Sequence, residues 1–64
     1  MAISIKAARV NAGLTQKEVA KALCKSKNTI VSYEAYATIP DIQTAKAMAK
    51  LFNMSVDEIS WAKE

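Results

Sequence analysis

The sequence contains no histidine and a single cysteine, Cys24. Without a second thiol no intramolecular disulfide can close. Without imidazole these side chains cannot assemble a tetrahedral zinc site, so no metal or cofactor is expected. Disulfides and metals are what very small domains most often use to supplement a thin core, and this chain of 64 residues has neither. A lone thiol fits a reducing cytoplasm better than secretion. One glycine and one proline leave few interruptions, which favours helices joined by short turns. No long apolar run develops either. In "MAISIKAARV", Lys6 and Arg9 arrive too early for an export signal or a membrane span.

Catalytic chemistry is equally thin. There is no histidine to act as a base and no glycine-rich phosphate loop. Asp57 and Glu58 are neighbours on an expected helix, so their carboxylates point apart. Cys24 has no histidine partner that would make it a nucleophile. An enzyme is not expected.

Apolar residues make up 52% of the chain, enough for a core and too many for a disordered segment. One domain is the count that this length allows. The net charge is +3 and unevenly spread. Residues 1–33 hold six cations against Glu18, whereas residues 34–64 hold three cations against five anions. The basic half suits a polyanionic partner, although ordinary solvated surface would look the same by charge alone.

Start and stop signals for helices recur along the chain. Ser4 can cap a helix reaching about Ala12, with Gly13 as a left-handed stop. Thr15-Gln16-Lys17-Glu18 is a capping box, and the helix it opens sets Val19, Ala20 and Leu23 against Lys17 and Lys21. Ser26 can cap the next helix. Pro40 ends any helix before it, and Asp41 can cap "IQTAKAMAKLF". There Ile42, Ala45, Ala49 and Phe52 form one stripe, with Met48 and Leu51 beside it. Asn53 is a second left-handed stop. Ser55 and Glu58 repeat the capping-box pattern before a last short helix with Val56 and Ile59 inward. No segment alternates with period 2. The expectation is all-α with five short helices, stabilised by packing because helices this short are marginal alone.

Residues 15–35 read as helix, tight turn, helix. Ala20 is small where two helices must cross closely, Cys24-Lys25 supplies the turn, and Ile30 points inward on the second helix. Together "ARVNAGLTQKEVAKAL", "SKNTIVSYE" and "IPDIQTAKAMAKLFNMSVDEI" resemble the Cro/repressor-like (XRE-type) helix-turn-helix DNA-binding domains of phages and bacteria. The resemblance covers about residues 5–60. It implies a compact five-helix lambda-repressor-like fold, with a recognition helix over about 26–36. It also implies a cytoplasmic, phage- or prophage-type repressor that reads double-stranded DNA through the major groove.

The second helix supports that reading on its own chemistry. Ile30, Tyr33 and Ala37 share one face, with Glu34 at its edge. Asn28, Val31, Ser32 and Ala35 share the other, which is short-chained, uncharged and partly apolar. Lysine reads guanine, asparagine reads adenine, serine reads either, and an apolar side chain can meet a thymine methyl. Lys27, Asn28, Val31 and Ser32 also fall where members of the family touch base edges. By the same resemblance Gln16, Ser26, Thr29, Lys25 and Tyr36 are candidate backbone contacts. Arg9 and Glu34 match a pair that forms a partly buried ion pair in related domains.

Four positions depart from the family pattern. Cys24-Lys25 replaces the usual glycine and small apolar residue of the turn, so a non-glycine residue in αL, at about 1 kcal/mol or more, or a different backbone is expected there. Tyr36 and Ala37 stand where glycine and a cation are common. A third helix continuing toward Ala37 is expected, with the Tyr36 phenol either on a phosphate or packed on a neighbouring helix. A thiol switch at Cys24 is a weaker reading, because a lone cysteine is usually inert.

A single module contacts few base pairs, so a palindromic operator and a homodimer are expected, the dimer forming in solution or only on DNA. Val56 and Trp61 are candidate dimer contacts, with Trp61 covering the core as the alternative. The rival reading is the same fold used as a protein-interaction or antitoxin-like module.

Overall fold

The computed structural model describes residues 2–62. These form a strand β1 (Ile3–Ser4), four α-helices, a single 3-10 turn (Val56–Glu58) and a strand β2 (Ile59–Ser60). The helices are α1 (Ile5–Asn11), α2 (Gln16–Ala22), α3 (Lys27–Glu34) and α4 (Ile42–Leu51). The expected fifth helix is therefore only the 3-10 turn. Glu58 Oε1 accepts from the Ser55 amide and hydroxyl at 2.9 and 3.1 Å, but the chain is then drawn into β2 instead of a second helical turn. β2 pairs with β1 in parallel, Ile3 opposite Ile59 and Ser4 opposite Ser60. Two-residue strands cannot display a period-2 pattern, and this pairing joins opposite ends of the described chain, so local reading missed it.

Each helix opens on a side-chain cap. Ser4, Thr15, Ser26 and Asp41 accept from the amides of Ala7, Glu18, Thr29 and Thr44 at 3.0, 3.1, 3.2 and 2.8 Å. At Thr15 the box is reciprocal, with Glu18 Oε1 taking the Thr15 amide at 2.9 Å.

All four helices also close in one way. A left-handed residue follows each, at Gly13 (φ 74°), Cys24 (φ 56°), Tyr36 (φ 59°) and Asn53 (φ 58°). The two amides that follow each terminus fold back in Schellman fashion. Behind α2, for example, Cys24 N donates to Lys21 O at 3.2 Å and Lys25 N to Ala20 O at 2.9 Å. So the Cys24 turn keeps the ordinary backbone and accepts the strain of a Cβ in αL. Tyr36 is likewise the stop of α3, and the helix does not run on to Ala37: Tyr36 N and Ala37 N bond Tyr33 O and Ser32 O at 3.1 and 2.9 Å.

The core is Ile5 and Ala8 of α1, Val19 and Ala20 of α2, Ile30 and Tyr33 of α3, Met48 and Ala49 of α4, then Phe52 and Ile59. Met48 is fully buried, whereas Ile42, expected on the inward stripe of α4, is 63% exposed. It occupies the first helical position, where the side chain leans back past the helix end and away from the packed turns. Ala37 is also exposed, lying beyond the end of α3. α2 and α3 share the most extensive contact of any two elements, and Ala20 and Ile30 are both buried.

Candidate nucleic-acid interface

The α2–turn–α3 unit carries exposed side chains on all three of its parts. Lys17 and Lys21 on α2, Lys25 in the turn, and Lys27, Asn28 and Val31 on α3 are all exposed, and Ser32 is half-buried at the edge. Ile30 and Tyr33 hold the opposite side of α3 in the core. Of the residues assigned to base contacts by sequence, three thus lie open on one helix face, with Ser32 at its margin. Val31, 41% exposed, is an aliphatic side chain with no core to join.

Ser26 and Thr29 sit at the start of α3. Their hydroxyls are 2.9 Å apart, and Ser26 also takes the Thr29 amide. Lys25 lies close enough to Asp41 for its ammonium to favour the carboxylate form. The larger causes that hold Asp41 below the usual carboxylate range are the Thr44 hydroxyl and amide.

Behind the surface is a charged hub. Arg9 Nε donates to Glu34 Oε2 at 2.6 Å, Arg9 NH2 reaches Glu34 Oε1 at 3.4 Å, and Arg9 NH1 donates to Leu14 O at 2.8 Å. Gln16 Nε2 donates to Glu34 Oε1 at 3.1 Å. The paired side chains are only 12% and 6% exposed. One carboxylate therefore ties α1, the α1–α2 loop and the first residue of α2 to the end of α3. The bond from Gln16 was not anticipated from sequence. Gln16 has a second amide N–H and a carbonyl oxygen besides the bond it makes to Glu34.

By sequence, Tyr36 is assigned either to a phosphate or to packing on a neighbouring helix. Its hydroxyl donates to Ser60 O at 3.2 Å, which uses its only proton, and its ring packs against the core. Trp61 lies after β2, not in a helix. Its Nε1 donates to Val56 O at 3.0 Å, and both side chains pack half-buried on the core. Cys24 is exposed on the surface as a free thiol. Among the described residues, no three His, Cys, Asp or Glu side chains cluster as metal ligands. No helix among them is long and apolar enough to cross a membrane.

A shallow groove flanks the outer face of α3. Asn28, Thr29, Ser32 and Tyr33 form one wall, and Thr38 and Ile39 of the loop after α3 form the other. Sequence reasoning passed over Thr38 and Ile39. The available signal was an isoleucine beside Pro40, outside any helical stripe.

The sequence model of the helix-turn-helix family matches residues 5–59 of the chain. Over 53 residues the chain is 40% identical to the HTH-type transcriptional regulator ImmR of Bacillus subtilis (strain 168). That alignment covers 83% of this chain and 42% of the Bacillus protein.

Proposed function

The chain belongs to the helix-turn-helix family, and we propose that it is a sequence-specific double-stranded DNA-binding regulator of transcription, of the phage or prophage repressor type. The observation that carries this reading is the outer face of α3, where Lys27, Asn28 and Val31 stand exposed beside Ser32 while Ile30 and Tyr33 anchor the helix from behind. A helix anchored on one side and furnished with short hydrogen-bonding and methyl-bearing groups on the other suits the major groove. The similarity to a transcriptional regulator supports the same conclusion.

In this mechanism α3 enters the major groove. Lys27 and Asn28 address base edges, with Ser32 beside them, and Val31 meets a thymine methyl. Gln16, Ser26, Thr29 and Lys25 fix the register on the backbone. Glu34 holds Gln16 through its amide, so the positioning helix and the reading helix move as one body. Occupying a promoter in the cytoplasm of a bacterial or phage-infected cell would repress it. Residues 1–64 act as one DNA-binding domain, which pairs as a homodimer on a palindromic operator.

Selection of bound sequences from random duplex DNA tests the proposal, followed by titration at several salt concentrations. An enriched palindrome is expected, with log K falling by about 0.9 per decade of salt for each phosphate contact. No enriched motif, or binding indifferent to salt, would support the protein-interaction or antitoxin-like module instead.

A further inference from the structure

Arginine is missing from the outer face of α3. It is the residue that most often singles out guanine in the major groove, through a bidentate bond to O6 and N7. The chain has one arginine, Arg9. Its guanidinium is held behind that face by Glu34 and by Leu14 O, and its side chain is 12% exposed. On α3 itself the one cation is Lys27, at the first helical position. Beyond it the exposed residues are Asn28, Val31 and Ala35, with Ser32 half-buried beside them. Asn28, Val31 and Ala35 follow one another at intervals of three and four residues, so they form one row along the helix.

The chemistry of this row favours one kind of base pair. A primary amide offers a donor and an acceptor, which match N7 and the N6 amino group of adenine. Guanine presents two acceptors there, so one bond is lost and the amide oxygen faces an acceptor. Val31 and Ala35 end in methyl groups. Their counterpart in the groove is the thymine C5-methyl, which a G·C pair lacks. The Ser32 hydroxyl donates or accepts and excludes no base. Asn28 and Val31 are separated by about 4.5 Å along the helix axis, close to the rise of about 3.4 Å between base pairs. They therefore address neighbouring pairs.

Resting on the DNA-binding reading, we infer that the half-site selected by this chain has a core of consecutive A·T pairs, in which Asn28 reads an adenine and Val31 meets the methyl of a neighbouring thymine. Guanine is specified only at the edge of that core, by Lys27. Discrimination within the core comes from one amide and one methyl contact, and not from charge.

The sequences recovered from random duplex DNA are the first test. At least two consecutive A·T pairs are expected at the most strongly selected positions of each half-site, with at most one G·C pair beside them. The second test places deoxyuracil at each selected thymine in turn, which removes the methyl and keeps the hydrogen bonds. At the thymine facing Val31 this should weaken binding about fourfold, the worth of one buried methyl. The variant Val31→Ala, its fold checked by thermal melting, should be nearly indifferent to the same replacement. A core without consecutive A·T pairs would overturn the inference and leave the regulator reading intact. Full affinity with deoxyuracil at every thymine would do the same, as would an equal loss in Val31→Ala, which would set the methyl against another residue. No enriched motif at all would defeat the regulator reading itself, and the inference with it.

Discussion

Arg9 and Glu34 stand 25 positions apart in the chain and meet at 2.6 Å, from Nε to Oε2, with 12% and 6% of their side chains exposed. The carboxylate takes Arg9 and Gln16 together, so α1, α2 and α3 share one electrostatic joint. Its consequences can be measured separately from those of the outer face.

Removing the arginine leaves a nearly buried carboxylate short of its cation. Arg9→Met should lower stability by about 2–4 kcal/mol in urea denaturation, the range set by breaking a partly buried pair from one side. The double variant Arg9→Met, Glu34→Leu should recover much of that loss. DNA affinity measured well below the melting point should change less than stability does. A larger effect on affinity than on stability would make Arg9 a phosphate ligand.

The outer face should respond in the opposite way. Asn28→Ala should leave the melting temperature nearly unchanged, because Asn28 is exposed. It should cost about 1–3 kcal/mol of discrimination at one base pair of the selected site. Repeating the selection with the variant reads this directly, and an unaltered motif would remove Asn28 from the base contacts.

Cys24 carries a Cβ in the left-handed region at φ 56° and is exposed. Cys24→Gly removes that strain, while the unfolded chain gains freedom that offsets part of the benefit. The net expectation is a stabilisation of about 0.5–1 kcal/mol, seen as a rise of a few degrees in Tm. A lower Tm would mean that the thiol makes a contact worth more than the strain.

Tyr36→Phe keeps the ring and deletes the bond to Ser60 O. Stability should fall by about 1 kcal/mol, and DNA affinity should stay level. A drop in affinity that shrinks as salt rises would make Tyr36 a phosphate contact.

Three exposed carboxylates sit below their ordinary range. Glu18 is held there by the Thr15 amide and then its hydroxyl, Asp41 by the Thr44 hydroxyl and then its amide, and Glu58 by the Ser55 amide and then its hydroxyl. A folded pKa below the unfolded one gives stability that is fully present above the unfolded value, about 4. That stability is lost as pH falls through the lower folded value. Melting temperature should therefore decline below about pH 4. Asp41→Asn preserves an N-cap acceptor and removes one titration, so its decline should be shallower. Identical slopes would sink the assignment for Asp41.

Local signals located the helices well. Ser4, Thr15, Ser26 and Asp41 are caps that a reader can see, because an N-cap is decided within four residues. Gly13 and Asn53 announce left-handed stops for the same reason. Tyr36 does not, since nothing in an aromatic side chain advertises φ 59°, and an extension of α3 was the natural expectation. Ile42 misled in the other direction: its spacing fits a buried stripe, but its place at the first helical position leaves it exposed.

Of the candidate interface, the outward face of α3 was legible because period 3.6 separates Ile30 and Tyr33 from Asn28 and Val31 without knowledge of any neighbour. The bond from Gln16 to Glu34, the turning of Tyr36 toward Ser60 and the exposure of Ile39 beside α3 depend on which segments lie next to one another.

By itself, then, the sequence determined where helices begin, which face of each is apolar, and that helix, turn and helix follow in the order of a helix-turn-helix unit, because caps and periodicity act over a turn or two of chain. The tertiary structure alone decided that the last capping box yields a 3-10 turn and not a fifth helix, since β2 must reach β1 across the fold. It alone decided that Trp61 covers the core and that Ile39 and Ile42 stand open, because burial belongs to pairs of segments brought together and not to either segment alone.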